Sequence, residues 1–385
     1  MVEFHKIGEW TPATGGGGDS GDKFSFRQVP DKKGDETLYV RRIIVRSKFP
    51  SIVVASGKTL AEGALLKLFS NLQLDIPGVG TVVKLTGLDT HRLYRMRHGH
   101  IPTASPAVAT STTASRSWMH IIEFAHPNDQ KKHNGIIPVA TLRRSTFKAY
   151  ARTIADTTFA GAADVVTALG TDGLVEVYAE TVRLKGRRIP TLFIQDYEER
   201  AAERTPKYEP GRYIEAFLVP AADADWTAAD FANITATFGD VAHLPEQIDQ
   251  RVIVENFNSW LRDQQAGSAG VGRLNAPVDA GGTVHDFIPL LQLTPPGPGG
   301  EAAKFLSSER VDAAASPQLT FNAAPTKQPK LVRTRIADPG SWQDQVYTDL
   351  GRTGSDTMKV KLASKTVPKS AETMAIAPKS IGRAE

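Results

Sequence analysis

The feature that most limits this chain's fold is the brevity of its apolar runs. They are short and rich in β-branched residues, and each ends at Gly, Pro or a polar loop. "TLYVRRIIVRS" (37–47) alternates in part. "NLQLDIPG" (71–78) puts Leu72, Leu74 and Ile76 on one face and stops at Pro77-Gly78, and "GTVVKL" (80–85) follows. "WMHIIEF" (118–124), "STFKAYART" (145–153) and "GLVEVYAETVRL" (173–184) continue the series. Helical patterns are few and short: "GLDTHRLYRMRHG" (87–99), in which Leu88, His91, Leu93 and Tyr94 share a face, and "VENFNSWLRDQQ" (254–265), which groups Phe257, Trp260 and Leu261. "DWTAADF" (225–231) reads as a helical turn capped by Asp225.

A second strand series starts near residue 188: "RIPTLFIQD", "GRYIEAFLVP", "ANITATFGD", "TVHDFIPLLQL", "QLTFNAA" and "KLVRTRIAD". It can be laid over the first. "NLQLDI" (71–76) corresponds to "NITATF" (233–238), and the helix at 86–98 to that at 255–265. "WMHIIEFAHP" (118–127) corresponds to "HDFIPLLQLTPP" (285–296), and "STFKAYA" (145–151) to "QLTFNAA" (318–324). What repeats is the order of element types, not identity. The fold class expected is all-β with a few short helices: two jelly-roll β-sandwiches in tandem, a double jelly roll. The expected boundaries are a flexible N-terminal arm at 1–36, carrying the Gly-rich "TPATGGGGDSGD" (11–22), a first jelly roll at 37–187, a second at 188–338, and a basic extended C-terminal tail at 339–385.

The chain has 385 residues, 41% of them hydrophobic, so sizeable cores can form. It has no cysteine, which excludes disulfides, thiolate metal sites and cysteine nucleophiles. No apolar run reaches the length of a membrane-spanning helix, and "MVEFHKIGEW" lacks a signal-peptide core, so a soluble product made in the cytoplasm is expected. Net charge is +4, and residues 351–385 hold all of that excess. Seven cations (Arg352, Lys359, Lys361, Lys365, Lys369, Lys379, Arg383) stand there against three anions (Asp356, Glu372, Glu385). Such a tail suits an anionic partner, or serves as a solubilising end.

Each chemical motif has a plainer reading. In "HIIEFAHPNDQKKH" (120–133), His120, Glu123, His126 and His133 have the side chains of a metal site. Strand alternation, however, sends His120 and Glu123 to opposite faces. His98 and His100 form an H-x-H pair, as in metal-binding cupins, but no glutamate follows. Gly57-Lys58-Thr59 imitates a phosphate loop, with Asp196 as its metal-binding partner, yet Ile52 stands where a glycine is required. Ser20 in "GDSGD" has no scaffold to hold a base beside it. The basic groups Arg41-Arg42, Arg143-Arg144 and "LKGRR" (184–188) sit at strand ends without interleaved aromatics. The five tryptophans (10, 118, 226, 260, 342) are too scattered for a sugar-binding platform. No catalytic residue, metal ligand or cofactor site is assigned.

The stretch "LYVRRIIVRSKFPSIVVASGKTLAEGALLKLFSNLQLDIPGVGTVVKLTGLDTHRLYRMRHG" resembles the opening of double jelly-roll major capsid proteins of tailless icosahedral, often membrane-containing, bacteriophages. "WMHIIEFAHPNDQKKHNGIIPVATLRRSTFKAYART" is similar to their next section. The resemblance covers 37–185 directly and 189–338 through the internal repeat. It implies a non-enzymatic structural protein located in the virion shell. Three chains would form a homotrimer with a pseudo-hexagonal outline, and trimers would tile the shell beside other virion proteins such as a penton. The tail, through Lys359, Lys361, Lys365, Lys369 and Lys379, would then meet internal membrane lipid, genome or a neighbouring trimer. Two other readings compete with it. One is a minor virion jelly-roll protein at a vertex or spike base. The other, of a different class, is a β-sandwich (cupin-like) metalloenzyme or carbohydrate-binding module.

Overall fold

Period-two alternation becomes strand wherever turn residues bracket it, and β-strands dominate the computed structural model. The structure describes residues 2–12, 19–61, 63–98, 113–125, 134–160, 165–169, 172–185, 190–227, 229–238, 241–254, 275–278, 282–292, 311–313, 316–337, 342–343, 345–346 and 349. The first half contributes β1 (Val2–Trp10), β2 (Ser20–Ser25), β3 (Lys32–Lys33), β4 (Glu36–Val54), β5 (Phe69–Ile76), β6 (Gly80–Leu85), α1 (Gly87–His98) and β7 (Thr113–Glu123). It continues with β8 (Ile137–Pro138), α2 (Val139–Leu142), β9 (Thr146–Ala151), α3 (Thr157–Ala160), β10 (Val166–Ala168) and β11 (Leu174–Lys185). The second half contributes β12 (Phe193–Glu199), β13 (Gly211–Pro220), β14 (Trp226–Thr227), β15 (Asn233–Phe238), β16 (Val241–Asp249) and β17 (Asn275–Val278). The last strands are β18 (Gly282–His285), β19 (Ile288–Gln292), β20 (Val311–Ala313), β21 (Gln318–Phe321) and β22 (Pro329–Ile336).

The pairing order defines two jelly rolls. In the first, the sheets run β1-β11-β4-β7 and β2-β9-β5-β6. Counting its eight principal strands along the chain, these are the orders 1-8-3-6 and 2-7-4-5, the paired Greek keys of a jelly roll. The second half repeats the pattern, with β12-β22-β13-β19 facing β21-β15-β16. Its remaining strand is the extended segment 204–208. There Phe321 N–H donates to Arg204 O (2.9 Å), Leu319 N–H to Pro206 O (3.2 Å) and Tyr208 N–H to Pro317 O (2.9 Å). The three strand correspondences read from the sequence fall on equivalent positions: β5 on β15, β7 on β19, β9 on β21. The helical correspondence at 255–265 lies outside the described residues.

Each roll has an apolar interior built by alternation. Leu72, Leu74 and Ile76 of β5 face Val45, Phe49 and Val177 of the opposing sheet, and Phe49 stacks on Trp118 at 5.3 Å. Ile234, Ala236 and Phe238 of β15 are likewise buried, with Phe238 edge-on to Tyr213 at 5.5 Å. The two rolls are fused through a sheet. β6 of the first pairs in parallel with β12 of the second at Val83 and Gln195, making one nine-stranded sheet that runs through both.

Three local expectations are revised. Residues 1–36 are not a flexible arm where they are described. β1 pairs along β11 from Val2↔Val182 to Trp10↔Val175, and β2 pairs along β9 from Ser20↔Ala151 to Ser25↔Thr146. They are the first two strands of the first roll. Their partners lie more than a hundred residues away, which a local reading of a Gly-rich stretch does not register; 13–18 lie outside the described residues. "DWTAADF" is not a helical turn capped by Asp225. Trp226 enters β14 and its indole donates to Leu218 O (3.3 Å), while Asp230 accepts from Thr227 N–H at 2.7 Å. The tail is not extended from 339 onward. Trp342 and Val346 are buried in helical turns, Trp342 Nε1–H donates to Pro190 O (2.6 Å), and Asp349 pairs with Arg144 at 3.7 Å.

Deleting residues 1–25 removes one strand from each sheet of the first roll. The expected outcome is loss of cooperative unfolding in that roll, read by circular dichroism against denaturant. A deletion that leaves the midpoint unchanged would restore the arm reading.

Candidate functional site

The most unusual feature of the structure is a charged junction buried where the two rolls meet. It is organised by α1, whose arginines Arg92, Arg95 and Arg97 are all buried. The helix begins with a reciprocal cap: Asp89 N–H donates to Thr86 Oγ1 (3.1 Å), and the Asp89 carboxylate accepts from Thr86 N–H (3.4 Å). Leu93 and Met96 pack into the core, and only Tyr94 and His98 remain half-buried. The single apolar face expected for this helix is therefore replaced by burial on nearly all sides.

Opposite charges arrive from the second roll. Arg92 Nε–H donates to Asp286 at 2.6 Å and its Nη2 to Ala224 O at 3.1 Å, while Arg95 reaches the other Asp286 oxygen at 3.3 Å. Lys330 of β22 lies 2.9 Å from Asp89 and 3.2 Å from Asp223. Arg152, at the end of β9, donates to the second oxygen of Asp223 at 2.9 Å. Thus Arg92, Arg95 and Arg152 of the first roll face Asp223 and Asp286 of the second, and Lys330 returns the favour to Asp89. A second knot lies one turn along α1. Arg97 grips Glu215 with Nε (3.1 Å to each oxygen) and Nη2 (2.8 Å), and also donates to Thr334 Oγ1 (3.1 Å) and Glu123 O (3.1 Å). Thr334 Oγ1–H donates to Glu215 at 2.8 Å.

Burial alone would push the Asp223 carboxyl up, but Lys330, Arg152 and Arg92 outweigh it and hold it below the ordinary carboxylate range. Asp286 is held low in the same way, burial being overcome by Arg92 and Arg95. Lys330, which burial alone would lower, is raised by Asp89 and Asp223. These charges are matched across the junction, and their role is structural: Asp89, Asp223, Asp286 and Glu215 each lie within ion-pair distance of a buried cation.

The sequence candidates disperse. His120 is buried between the sheets: its Nδ1–H donates to Gly87 O (3.0 Å), its Nε2 accepts from the Trp118 indole (3.2 Å), and Phe69 meets it edge-on at 5.1 Å. Both ring nitrogens are occupied, so it is unsuited to ligating a metal. Glu123 points to the other face, bonded to His98 at 2.5 Å and near Arg42 at 3.8 Å. His100, His126 and His133 lie outside the described residues, as do Lys359, Lys361, Lys365, Lys369 and Lys379. Ser20 opens β2. Asp196, the imagined metal-binding partner, pairs with Arg333 (2.7 Å) and Arg335 (2.5 Å). Among the described residues no three acids or histidines cluster to hold a metal ion, and no helix is long and apolar enough to cross a membrane. The junction itself was missed in the sequence. Its one signal was three arginines within six positions, distributed round a helix that also carries Leu and Met.

Burial lowers His120 to about 4 from 6.5, its bond to Gly87 O only partly opposing this. Burial also lowers His91 to about 3, with Arg95, Arg92 and His120 adding to the effect and Asp286 opposing it. A histidine lowered on folding leaves the native state with fewer protons than the unfolded chain between its two pKa values. Stability is therefore full above 6.5 and falls as pH drops through that window, by about 3 kcal/mol for His120 alone. Denaturant midpoints at pH 7.5 and 4.5 should show this loss, and His120→Asn should reduce it. Arg97→Met, which leaves Glu215 buried without its cation, should destabilise by about 3–5 kcal/mol. The double variant Arg97→Met/Glu215→Leu should recover most of that loss in the same measurement.

No family model and no curated protein matches the sequence. Solved structures do match the fold along almost the whole chain. A chain from the atomic structure of Sulfolobus Turreted Icosahedral Virus aligns with a TM-score of 0.53 at 9% identity, covering 91% of this chain and 97% of that one. The crystal structure of the STIV MCP aligns at 0.52 and 11%, covering 90% and 98%. VP54 of PBCV-1, fitted into a reconstruction of the virophage Sputnik, aligns at 0.52 and 9%, covering 88% and 95%. At these identities the likeness is one of fold: a double jelly roll of matching length.

Proposed function

We propose that this chain is a major capsid protein, the repeated building block of an icosahedral virion shell. The observation that carries this reading is the fusion of two complete jelly rolls, by one continuous sheet and a buried ionic junction, into a unit that spans 97–98% of the archaeal-virus chains it resembles in fold. A shell gains from such a fusion, because a rigid two-roll block presents the same lateral surfaces in every copy. The protein has no catalytic role in this reading, and its place is the virion.

The finer reading follows from the sequence resemblance over 37–185: a tailless phage shell built from trimers. Three chains bring six jelly rolls, which gives a near-hexagonal outline suited to tiling. Its partners are two further copies, then neighbouring trimers and a penton-type vertex protein. The tail cations Lys359, Lys361, Lys365, Lys369 and Lys379 face internal lipid, genome or an adjacent trimer, a role supported by the concentration of the whole net charge in 351–385.

The solution mass of the purified chain tests the reading. A stable trimer is expected, and a strict monomer at every concentration would sink it. Removing 351–385 should leave trimers intact and lower the yield of full particles; full yield of stable particles would remove the tail's role.

A further inference from the structure

Within the chain the two rolls meet edge to edge. β6, which ends the sheet β2-β9-β5-β6, pairs in parallel with β12, which ends the sheet β12-β22-β13-β19. In jelly-roll order β6 is the fifth strand of the first roll, and β12 is the first strand of the second. The corresponding pair of edges is unused inside the chain. β1 is the first strand of the first roll. β16 stands in the second roll where β6 stands in the first, since β16 pairs with β15 as β6 pairs with β5. β1 is outermost in β1-β11-β4-β7 and β16 is outermost in β16-β15-β21. Among the described residues neither pairs on its other side.

The two open edges lie at opposite ends of the block. Gly8 of β1 sits against the Phe24 ring of β2, the strand that ends the nine-stranded sheet on the first roll's side. β16 lies against β19, which ends the same sheet on the second roll's side. The exposed apolar residues follow these ends. Among the described residues the large apolar side chains that stand exposed are Val2 (45%) and Phe4 (58%) of β1, and Val252 (59%), three residues past the end of β16. Open strand edges invite pairing, and natural proteins cover them. A closed ring of identical chains mates two different patches head to tail, one at each end of the subunit.

We propose that β16 of one copy lies in parallel beside β1 of the next, repeating between chains the edge contact that β6 makes with β12 within one. The pairing is short, as it is between β6 and β12, which meet at Val83 and Gln195, because Pro245 in β16 has no N–H to donate. Parallel alignment sets Val2 and Phe4 at one end of the contact and brings Val252 to the other. There the exposed side chains of Glu9 and Arg251 carry opposite charges. This inference rests on the trimeric reading and names the surfaces that close the ring.

The chain has no cysteine, so introduced thiols are the only ones present. Differently tagged Glu9→Cys and Arg251→Cys chains are co-expressed and treated with a short bis-maleimide. Covalent dimers joining one of each are expected, with none from either variant expressed alone. The double variant Glu9→Cys/Arg251→Cys should link into covalent trimers. Trimers by light scattering with no mixed cross-link would overturn this contact and leave the trimeric reading standing. Cross-linking of Glu9→Cys chains to one another would also overturn it, since β1 would then meet β1. A strict monomer would overturn both.

Discussion

The two-roll arrangement depends on burying α1's arginines against acids from the other half of the chain. A guanidinium removed from water carries a desolvation penalty of several kcal/mol, which only a well-placed carboxylate offsets. Arg92 and Arg95 meet theirs in Asp286, Arg152 in Asp223 and Arg97 in Glu215, each from the second roll. Neither roll is electrostatically complete without its partner. The junction fixes how the rolls sit because each pair tolerates little change of distance or angle, whereas an apolar contact would slide more readily.

The shared sheet reinforces the same constraint. β6 and β12 meet in parallel at Val83 and Gln195, and Gln195 also donates its side-chain N–H to Glu123 O beside Arg97. Backbone pairing and the ionic knot thus converge on one strip of the molecule. Tyr197, next along β12, lies under Lys330 at 5.1 Å and adds a cation–π contact to the other knot. Backbone pairing and ion pairing, two independent kinds of contact, therefore hold the rolls together along that strip.

Much of the strand framework was legible because alternation is local. Leu72, Leu74 and Ile76 share a face in any strand, and so do Ile234, Ala236 and Phe238. The order of such strands was enough to align the two halves. The readings that failed involved long-range partners. "VEFHKIGEW" mixes apolar and charged residues at an open edge, and it becomes β1 only because 175–182 pairs with it. Asp225 resembles a cap until Trp226 finds Leu218. The histidine cluster was resolved by the simplest rule of strand geometry: His120 turned inward to Trp118, Glu123 outward to His98.

The sequence by itself determined the fold class, the duplication and the absence of thiol chemistry, since alternation, element order and composition are properties of neighbouring residues or of simple counts. The charge junction, the strand identity of the N-terminus and the docking of Trp342 were decided by tertiary structure alone. Each depends on groups brought together from distant parts of the chain: within the junction, Arg152 and Asp223 are 71 residues apart and Arg92 and Asp286 are 194 apart. An arginine in a sequence looks alike whether it faces water or a buried carboxylate, and only packing decides which.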